Sequence, residues 1–307
     1  MPELQDIVAQ IVEEVRAEKD HGTASDALPQ LAGADLDKVG LAVVTADCEV
    51  AVAGDADEPF SLQSISKVFS LTLALEAYGE DVWKRVGREP SGDPFNSIID
   101  LERHEGFPRN PFINAGALVV VDLLLDRAEG DEADLVRSLL VRLAGDENVR
   151  IDEEIASSDA SSSYTNQALA NFAKSFGNLN HSVDSVIEAY TRQCSLSLSS
   201  RDLAKAGRFL MNNGADPEAG TILADGHSAR QIASLMMTCG QYDGSGEFAA
   251  RVGLPAKSGI AGGILAVAPR MASIAVWSPG LDKNGNSMLG TLALAKLSQR
   301  TGWSVFG

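Results

Sequence analysis

The stretch that decides the fold is "SLQSISKVFSL", residues 61–71, which opens a largely apolar run that continues to Tyr78. Hydroxyl side chains and one lysine stand at the start of the run, and positions 64 and 67 form the pattern S-x-x-K. Residues three apart share one face of a helix, so Ser64 can reach Lys67, whereas Ser66 points elsewhere. The spacing selects Ser64 as a candidate nucleophile, although hydroxyls at a helix start also serve as caps.

Lys67 is the candidate base for Ser64, and a lysine acts as a base only after it has lost its proton. Moving the lysine pKa from about 10.4 to near neutrality costs on the order of 4 kcal/mol, which requires burial or a nearby cation. The apolar residues that follow Lys67 predict such burial.

A second motif, Lys257-Ser258-Gly259, stands just before a predicted strand in "VGLPAKSGIAGGILAV" (252–267). S-x-x-K followed far downstream by K-[ST]-G on a strand is typical of serine acyl-transfer enzymes with a penicillin-recognising fold. The glycines permit close backbone approach, so we expect the N–H groups of Ile260 and Ser64 to form an oxyanion hole.

Tyr242 lies in the glycine-rich segment "TCGQYDGSGEFAARVG" (238–253), a short distance upstream of this motif. A tyrosine beside the predicted site is a candidate to move a proton to or from Ser64. Its alternative role is that of a packed aromatic side chain.

The pattern along the chain predicts an α+β fold. Residues 3–18 have the apolar spacing of an amphipathic helix, and "KVGLAVVTADCEVAVAG" (38–54) predicts a hairpin. A mostly helical block follows, in which the serine-rich stretch 153–167 is interpreted as a loop leading into a helix. Two glycine-punctuated strands and a final helix close the chain.

We expect residues 1–62 and 236–307 to form a discontinuous domain around one antiparallel sheet, and residues 63–235 to form a helical domain beside it.

Composition narrows the possible functions. The 307 residues are 45% apolar, enough for a sizeable core, and no stretch reaches the roughly 18 apolar residues that a membrane helix needs. The net charge of −18 argues against nucleic acid or an anionic membrane as a partner, and is typical of a soluble or salt-tolerant surface. Three widely spaced cysteines and four scattered histidines predict no disulfide frame and no metal site. We expect a cytoplasmic protein, since the N-terminus lacks the features of a signal peptide.

Several long stretches, taken together, resemble the serine-dependent glutaminases. They run from about residue 22 to 290 and are "QSISKVFSLTLAL", "REPSGDPFNSI", "NPFINAGAL", "EAYTRQCSLSLSSRDLA", "CGQYDGSGEFAARVGLPAKSGIAGGI" and "WSPGLDKNGNSMLG". The resemblance implies a β-lactamase-like, DD-peptidase-like fold and hydrolysis of L-glutamine to L-glutamate and ammonia without a cofactor. It also implies a homodimer or homotetramer.

The resemblance assigns roles residue by residue. It implies Ser64 as nucleophile, Lys67 as base, Tyr242 as a partner in the proton transfers, and the N–H groups of Ser64 and Ile260 as oxyanion donors. The positions that it implies for substrate binding are Gln63, Ser64, Asn114, Asp159, Asn166, Tyr190, Tyr242 and Ile260.

Two positions depart from the family pattern. In "GTASDALP" (22–29), Ala27 stands where the family has a tyrosine that lines the substrate site, and Asp159 stands where it has a glutamate for the substrate amino group. The shorter carboxylate lies about one methylene further from its target, and a misplacement of about 1 Å can cost 10²-fold in rate. These departures predict weaker glutamine binding or a shifted substrate.

Two alternatives remain open from the residues alone. Tyr164-Thr165-Asn166 forms a Y-x-N triplet, which some β-lactamases and esterases of this fold use beside S-x-x-K and K-[ST]-G. The changes at Ala27 and Asp159 would also suit a non-catalytic relative that binds an amino acid, although a retired site has no need of a desolvated lysine.

Overall fold

The computed structural model describes residues 3–128 and 132–307, in which two antiparallel sheets are packed with helices. The strands are β1 (Gly40–Thr45), β2 (Val50–Gly54), β3 (Pro59–Ser61), β4 (Arg150–Ile151), β5 (Leu196–Ser199), β6 (Ala256–Ser258), β7 (Gly263–Ala268) and β8 (Ala272–Trp277). The helices are α1 (Leu4–Arg16), α2 (Pro29–Ala32), α3 (Ser66–Tyr78), α4 (Ile98–Arg103), α5 (Asn114–Leu125), α6 (Glu132–Ala144), α7 (Glu153–Ser162), α8 (Tyr164–Ser175), α9 (Val183–Cys194), α10 (Ser200–Ala206), α11 (Arg208–Met211), α12 (Gly226–Cys239), α13 (Ser245–Arg251) and α14 (Met288–Thr301).

The larger sheet joins the two ends of the chain. Its strand order is β2-β1-β8-β7-β6, so the predicted N-terminal hairpin pairs with the C-terminal strands. β1 runs antiparallel to both β2 and β8, with Ala42 opposite Val52 on one side and Ala275 on the other. The prediction that the terminal segments share one antiparallel sheet is therefore confirmed.

The two faces of this sheet belong to two hydrophobic clusters, because successive side chains of a strand point to opposite faces. On β1, Leu41 and Val43 pack with the cluster that includes α1 and α14. Ala42 and Val44 pack with the larger cluster that contains the helical block. The sheet is thus buried on both faces, which explains why β7 and β8 are buried along their whole lengths and contain a single polar side chain, that of Ser273.

Two helices of the block, α3 and α5, are buried nearly all round. Their sequences, "SKVFSLTLALEAY" and "NAGALVVVDLLL", lack a polar face, which is typical of a helix that lies inside a core. Neighbouring helices cover them, including α9, which packs against α5. The N-terminal ends of α3 and α5 therefore occupy fixed positions deep in the molecule.

The helical block differs from its sequence prediction in two places. It contains part of a small sheet of order β3-β5-β4, which is too short to give a periodic signal. The serine-rich stretch predicted as a loop forms α7, because the Asp152 carboxylate accepts the N–H groups of Glu154 and Ile155 as an N-cap. Acidic residues in the first turn also favour the helix through its dipole.

The domain division at residues 62 and 236 stays a prediction. The second boundary falls inside α12, which packs against both α3 and β6. Within residues 3–128 and 132–307, no helix is long and apolar enough to cross a membrane.

Candidate active site

Ser64 lies in a short 3-10 turn, Gln63–Ile65, that leads directly into α3. About 9% of its surface is exposed, so its hydroxyl stays accessible at the edge of a buried region. Gln63, the residue before it, has φ 48°, a left-handed conformation that is uncommon outside glycine. The turn therefore presents the candidate nucleophile from a strained position.

Lys67 follows in the first turn of α3 and is 1% exposed. Its ammonium group donates to Asn114 Oδ1 at 2.8 Å and to the carbonyl oxygen of Phe112 at 3.2 Å. Burial lowers the pKa of Lys67 from 10.5 to about 8, and the negative charge of Asp159 opposes that shift. The predicted burial of this lysine is confirmed, and it brings the pKa close to neutral pH.

Three of the residues implied in substrate binding meet beside Lys67. Asn114 begins α5, and its Nδ2 donates to Asn166 Oδ1 on α8 at 2.9 Å. The Tyr190 hydroxyl on α9 donates to Asn114 Oδ1 at 3.3 Å. Side chains from three different helices, with Asn114 more than 50 residues from either of the other two, thus form one polar cluster.

Asp159 on α7 shares the electrostatic environment of this cluster. Burial raises the pKa of its carboxyl from 3.8 to about 6, and the Lys67 charge opposes the rise. Ala27 is exposed, and its segment is fixed to a C-terminal loop, since Thr23 and Leu281 exchange two main-chain hydrogen bonds at 3.0 and 2.8 Å.

The K-S-G motif approaches the nucleophile from the sheet. Lys257 and Ser258 lie within β6, an edge strand, rather than before a strand as the sequence predicted. Gly259 directly follows β6 and lies close to the turn that carries Ser64. A Cβ added at Gly259 would lie 2.4 Å from the Leu62 carbonyl oxygen. Among the described residues, the N–H of the next residue, Ile260, has no hydrogen-bond acceptor. The close approach explains the glycine and leaves this N–H available to a ligand.

Tyr242 stands between the motif and Ser64. Its hydroxyl donates to the Ser258 carbonyl oxygen at 3.3 Å, and the Lys257 ammonium nitrogen lies 4.6 Å from the centre of its ring. Burial raises the pKa of Tyr242, and a hydrogen bond with Ser64 opposes that rise. The phenol is therefore protonated at neutral pH and close to the candidate nucleophile.

A cavity of about 510 Å³ opens on the outer side of Tyr242, where the Phe95 ring lies 4.9 Å from the tyrosine ring. Its walls come from residues 90–95, from the loop before α5, and from α12 and α13. They include Pro90, Asp93, Asn110, Phe112, Ile113, Met237, Cys239, Asp243 and Ala249.

Sequence reasoning missed several groups of this site. The Phe112 carbonyl is a main-chain acceptor and left no signal in the sequence. Cys194 lies near Tyr190, and burial raises the pKa of its thiol to about 12, so it is protonated and unreactive. Gln193 is fully buried beneath the nucleophile turn. In the residues that the structure describes, no three His, Cys, Asp or Glu side chains are grouped as metal ligands.

The antiparallel sheet with flanking helices, a serine at the start of a buried helix and a K-S-G edge strand define the α+β class of β-lactamase-like proteins. A family model for glutaminase matches residues 22–306. The glutaminase of Methylobacterium radiotolerans is 52% identical over 309 residues, with all of both chains covered. The chain therefore belongs to the glutaminase family, whose members are enzymes.

Solved structures agree with this assignment. The structure of the probable glutaminase ybaS is similar with a TM-score of 0.91 and 37% identity, and 98% of each chain is covered. The structure of a probable glutaminase from Bacillus subtilis complexed with 6-diazo-5-oxo-L-norleucine has a TM-score of 0.89 at 31% identity, with 100% of this chain and 97% of that chain covered.

Proposed function

We propose that the enzyme hydrolyses L-glutamine to L-glutamate and ammonia through an acyl-enzyme on Ser64. The family assignment supports glutamine as the substrate. The compound in the Bacillus subtilis structure is, by its name, an amino acid with a carbonyl at C5, the position of the carboxamide carbon in glutamine. A neighbour at 31% identity thus holds a molecule with the same head group as the proposed substrate and a carbonyl at the same position.

The state of Lys67 is the observation that carries the mechanism. A fall of its pKa from 10.5 to about 8 raises the neutral fraction at pH 7 roughly 300-fold, since each pKa unit is a factor of ten. A neutral amine one helical turn from Ser64 is a suitable general base, because the ideal catalytic pKa lies near the operating pH.

The proposed reaction has two halves. Lys67 takes the hydroxyl proton of Ser64 as Oγ attacks the carboxamide carbon, which gives a tetrahedral oxyanion. The C–N bond then breaks, the proton held by Lys67 passes through Tyr242 to the nitrogen, and ammonia leaves a glutamyl ester on Ser64. Neutral Lys67 then takes a proton from water as the water oxygen attacks this ester, and that proton passes to Ser64 Oγ as the ester C–O bond breaks and glutamate departs. An acyl-enzyme divides the hydrolysis of an unreactive amide into two easier steps.

The surroundings of Ser64 support the stabilisation of the oxyanion. The Ile260 N–H is available beside the nucleophile turn, and with the Ser64 N–H it would give two donors. Each such donor is worth about 3 to 4 kcal/mol in the transition state. Both donors belong to the main chain, and the close contact of Gly259 with the Leu62 carbonyl oxygen places the Ile260 N–H beside the nucleophile turn.

The polar cluster suits the zwitterionic head of an amino acid. Amide and hydroxyl groups at Asn114, Asn166 and Tyr190 can satisfy a carboxylate and an ammonium group together. We assign the substrate ammonium to Asp159, and we place Gln63 beside the reacting end because it directly precedes Ser64. Asp159 is half protonated near pH 6, so this contact weakens in acid.

The test is ammonia release from L-glutamine, with L-asparagine as a second substrate, by the wild type and by Ser64→Ala. We expect turnover of glutamine by the wild type and a loss of at least about 10³-fold in the variant, as for other catalytic nucleophiles. Hydroxylamine should divert the acyl-enzyme to a γ-glutamyl hydroxamate. Undiminished turnover by Ser64→Ala would exclude this mechanism.

The β-lactamase alternative finds little support in the geometry. Tyr164, the first residue of its Y-x-N triplet, is 76% exposed, while Asn166 is hydrogen-bonded to Asn114 in the cluster. Hydrolysis of a chromogenic β-lactam without hydrolysis of glutamine would reverse this preference. The proposal includes a homodimer or homotetramer, which light scattering of the purified protein would test, and a cytoplasmic location, which fractionation of expressing cells would test.

A further inference from the structure

The residue before the proposed nucleophile has a costly backbone conformation. Gln63 has φ 48°, and residues other than glycine persist there only when the surrounding structure holds them. A change in the backbone angles of Gln63 would rotate the next peptide unit. That rotation would redirect the N–H of Ser64 and move the Cα that carries its side chain. What fixes Gln63 therefore also fixes the nucleophile.

The Ser66 hydroxyl holds the carbonyl of this residue. Ser66 is fully buried, and its Oγ donates to the Gln63 carbonyl oxygen at 2.7 Å. Gln193, also fully buried near the end of α9, donates from Nε2 to Ser66 Oγ at 3.1 Å. Since the amide nitrogen can only donate, the hydroxyl proton is directed toward Gln63.

The side chain of Gln63 is tied to the same end of α9. Its Nε2 donates to Ser61 Oγ at 2.9 Å, and Ser61 Oγ donates to the Cys194 carbonyl oxygen at 3.1 Å. Both the main chain and the side chain of the strained residue are thus connected to the helix that carries Tyr190.

We propose that Ser66 and Gln193 are positioning residues that hold Gln63 in its left-handed conformation and so set the Ser64 hydroxyl and N–H for reaction. The inference rests on the proposed role of Ser64 as nucleophile. Neither residue needs to touch the substrate, because both act through the main chain. The S-x-x-K motif gives no sign of this role, because Ser66 does not lie on the helix face that Ser64 and Lys67 share.

The chain provides a matched control in Ser70, one helical turn further along α3. Ser70 is 1% exposed, and it also accepts a hydrogen bond from Gln193 Nε2, at 3.2 Å. Its own hydroxyl donates to the Lys67 carbonyl oxygen at 3.4 Å, an ordinary contact within a helix. Removal of either hydroxyl creates a similar buried gap, but only the Ser66 hydroxyl reaches Gln63.

The experiment compares Ser66→Ala with Ser70→Ala in kcat, KM and thermal unfolding, with rates measured well below either melting temperature. We expect Ser66→Ala to lower kcat at least about ten-fold with KM within about three-fold, because a misplacement of 1 Å can cost 10²-fold in rate. Ser70→Ala should keep kcat within about three-fold, although both variants lose some stability.

Gln193→Met is a second variant that tests the positioning role, and it can replace Ser66→Ala if that variant does not fold. It removes the amide donor at similar volume, so kcat should fall while KM changes little. Because Gln193 acts through Ser66, the double variant should lose no more kcat than Ser66→Ala alone, whereas independent effects would multiply.

Equal kcat losses in Ser66→Ala and Ser70→Ala, or a wild-type kcat in both Ser66→Ala and Gln193→Met, would overturn the positioning role. Ser64→Ala, assayed in parallel, separates this outcome from failure of the proposed function. If Ser64→Ala is inactive while Ser66→Ala and Gln193→Met are both fully active, only the positioning role fails. If Ser64→Ala turns over normally, the proposed nucleophile fails first.

Discussion

The dependence of kcat/KM on pH follows from two groups of the site, Lys67 and Asp159. With a pKa of about 8, Lys67 is neutral in about 1% of molecules at pH 6 and in about 50% at pH 8. With a pKa of about 6, Asp159 goes from about half ionised to almost fully ionised over the same interval. Both changes act in one direction, so kcat/KM should rise about 100-fold from pH 6 to pH 8.

The assay is direct measurement of ammonia from L-glutamine at low substrate concentration, in buffers from about pH 5.5 to 8.5. Samples returned to pH 8 after incubation at each pH control for irreversible inactivation. On a logarithmic plot the slope should be near one between pH 6 and 8 and steeper below pH 6, where both groups titrate.

Asp159→Asn is the matched variant for this profile. It removes the acidic titration, so the slope below pH 6 should return toward one, and KM should rise because the substrate ammonium loses a charged partner. It also removes a negative charge that raises the pKa of Lys67, so the midpoint should move to lower pH. A flat wild-type profile from pH 6 to 8, or a logarithmic slope that is still near one at pH 8.5, would refute Lys67 as a base whose pKa is lowered by burial.

Three further substitutions test other parts of the structure. Asp159→Glu introduces the longer carboxylate that the family has at this position. The contact to the substrate ammonium should shorten, so KM for L-glutamine should fall by about three- to ten-fold. An unchanged or higher KM, measured from initial rates, would contradict this. Gly259→Ala places a Cβ 2.4 Å from the Leu62 carbonyl oxygen, which should displace the strand from the nucleophile turn. We expect kcat to fall about 10²-fold while the circular dichroism spectrum is retained. A normal kcat would show that the strand edge can move freely. Asp122→Ala removes the buried carboxylate that lies 2.7 Å from the Arg85 guanidinium and leaves that cation with only the neutral acceptors of Asn178, so it should cost about 3 to 5 kcal/mol of unfolding free energy in urea. A loss below about 1 kcal/mol would mean that solvent compensates the arginine charge.

Local patterns in the sequence predicted most of the fold. Helical spacing in α1, the β-branched runs of the β1–β2 hairpin and the glycine-punctuated runs of β7 and β8 each describe a segment that buries one face or both. These signals are local because burial selects residue types position by position. The two elements that differed, α7 and the small β3-β5-β4 sheet, depend on a capping carboxylate and on pairing between distant short segments, which hydrophobic periodicity does not report.

The sequence by itself determined the candidate nucleophile, because S-x-x-K and K-S-G are short local spacings and the apolar run after Lys67 predicts its burial. Only the tertiary structure decided which groups surround them. The hydrogen bonds of Lys67 to Asn114 and to the Phe112 carbonyl, and that of Gln193 to Ser66, join segments whose separation along the chain carries no pattern. The pKa values of Lys67 and Asp159 arise from desolvation and mutual charge, which exist only after α3 and α7 have packed into one core.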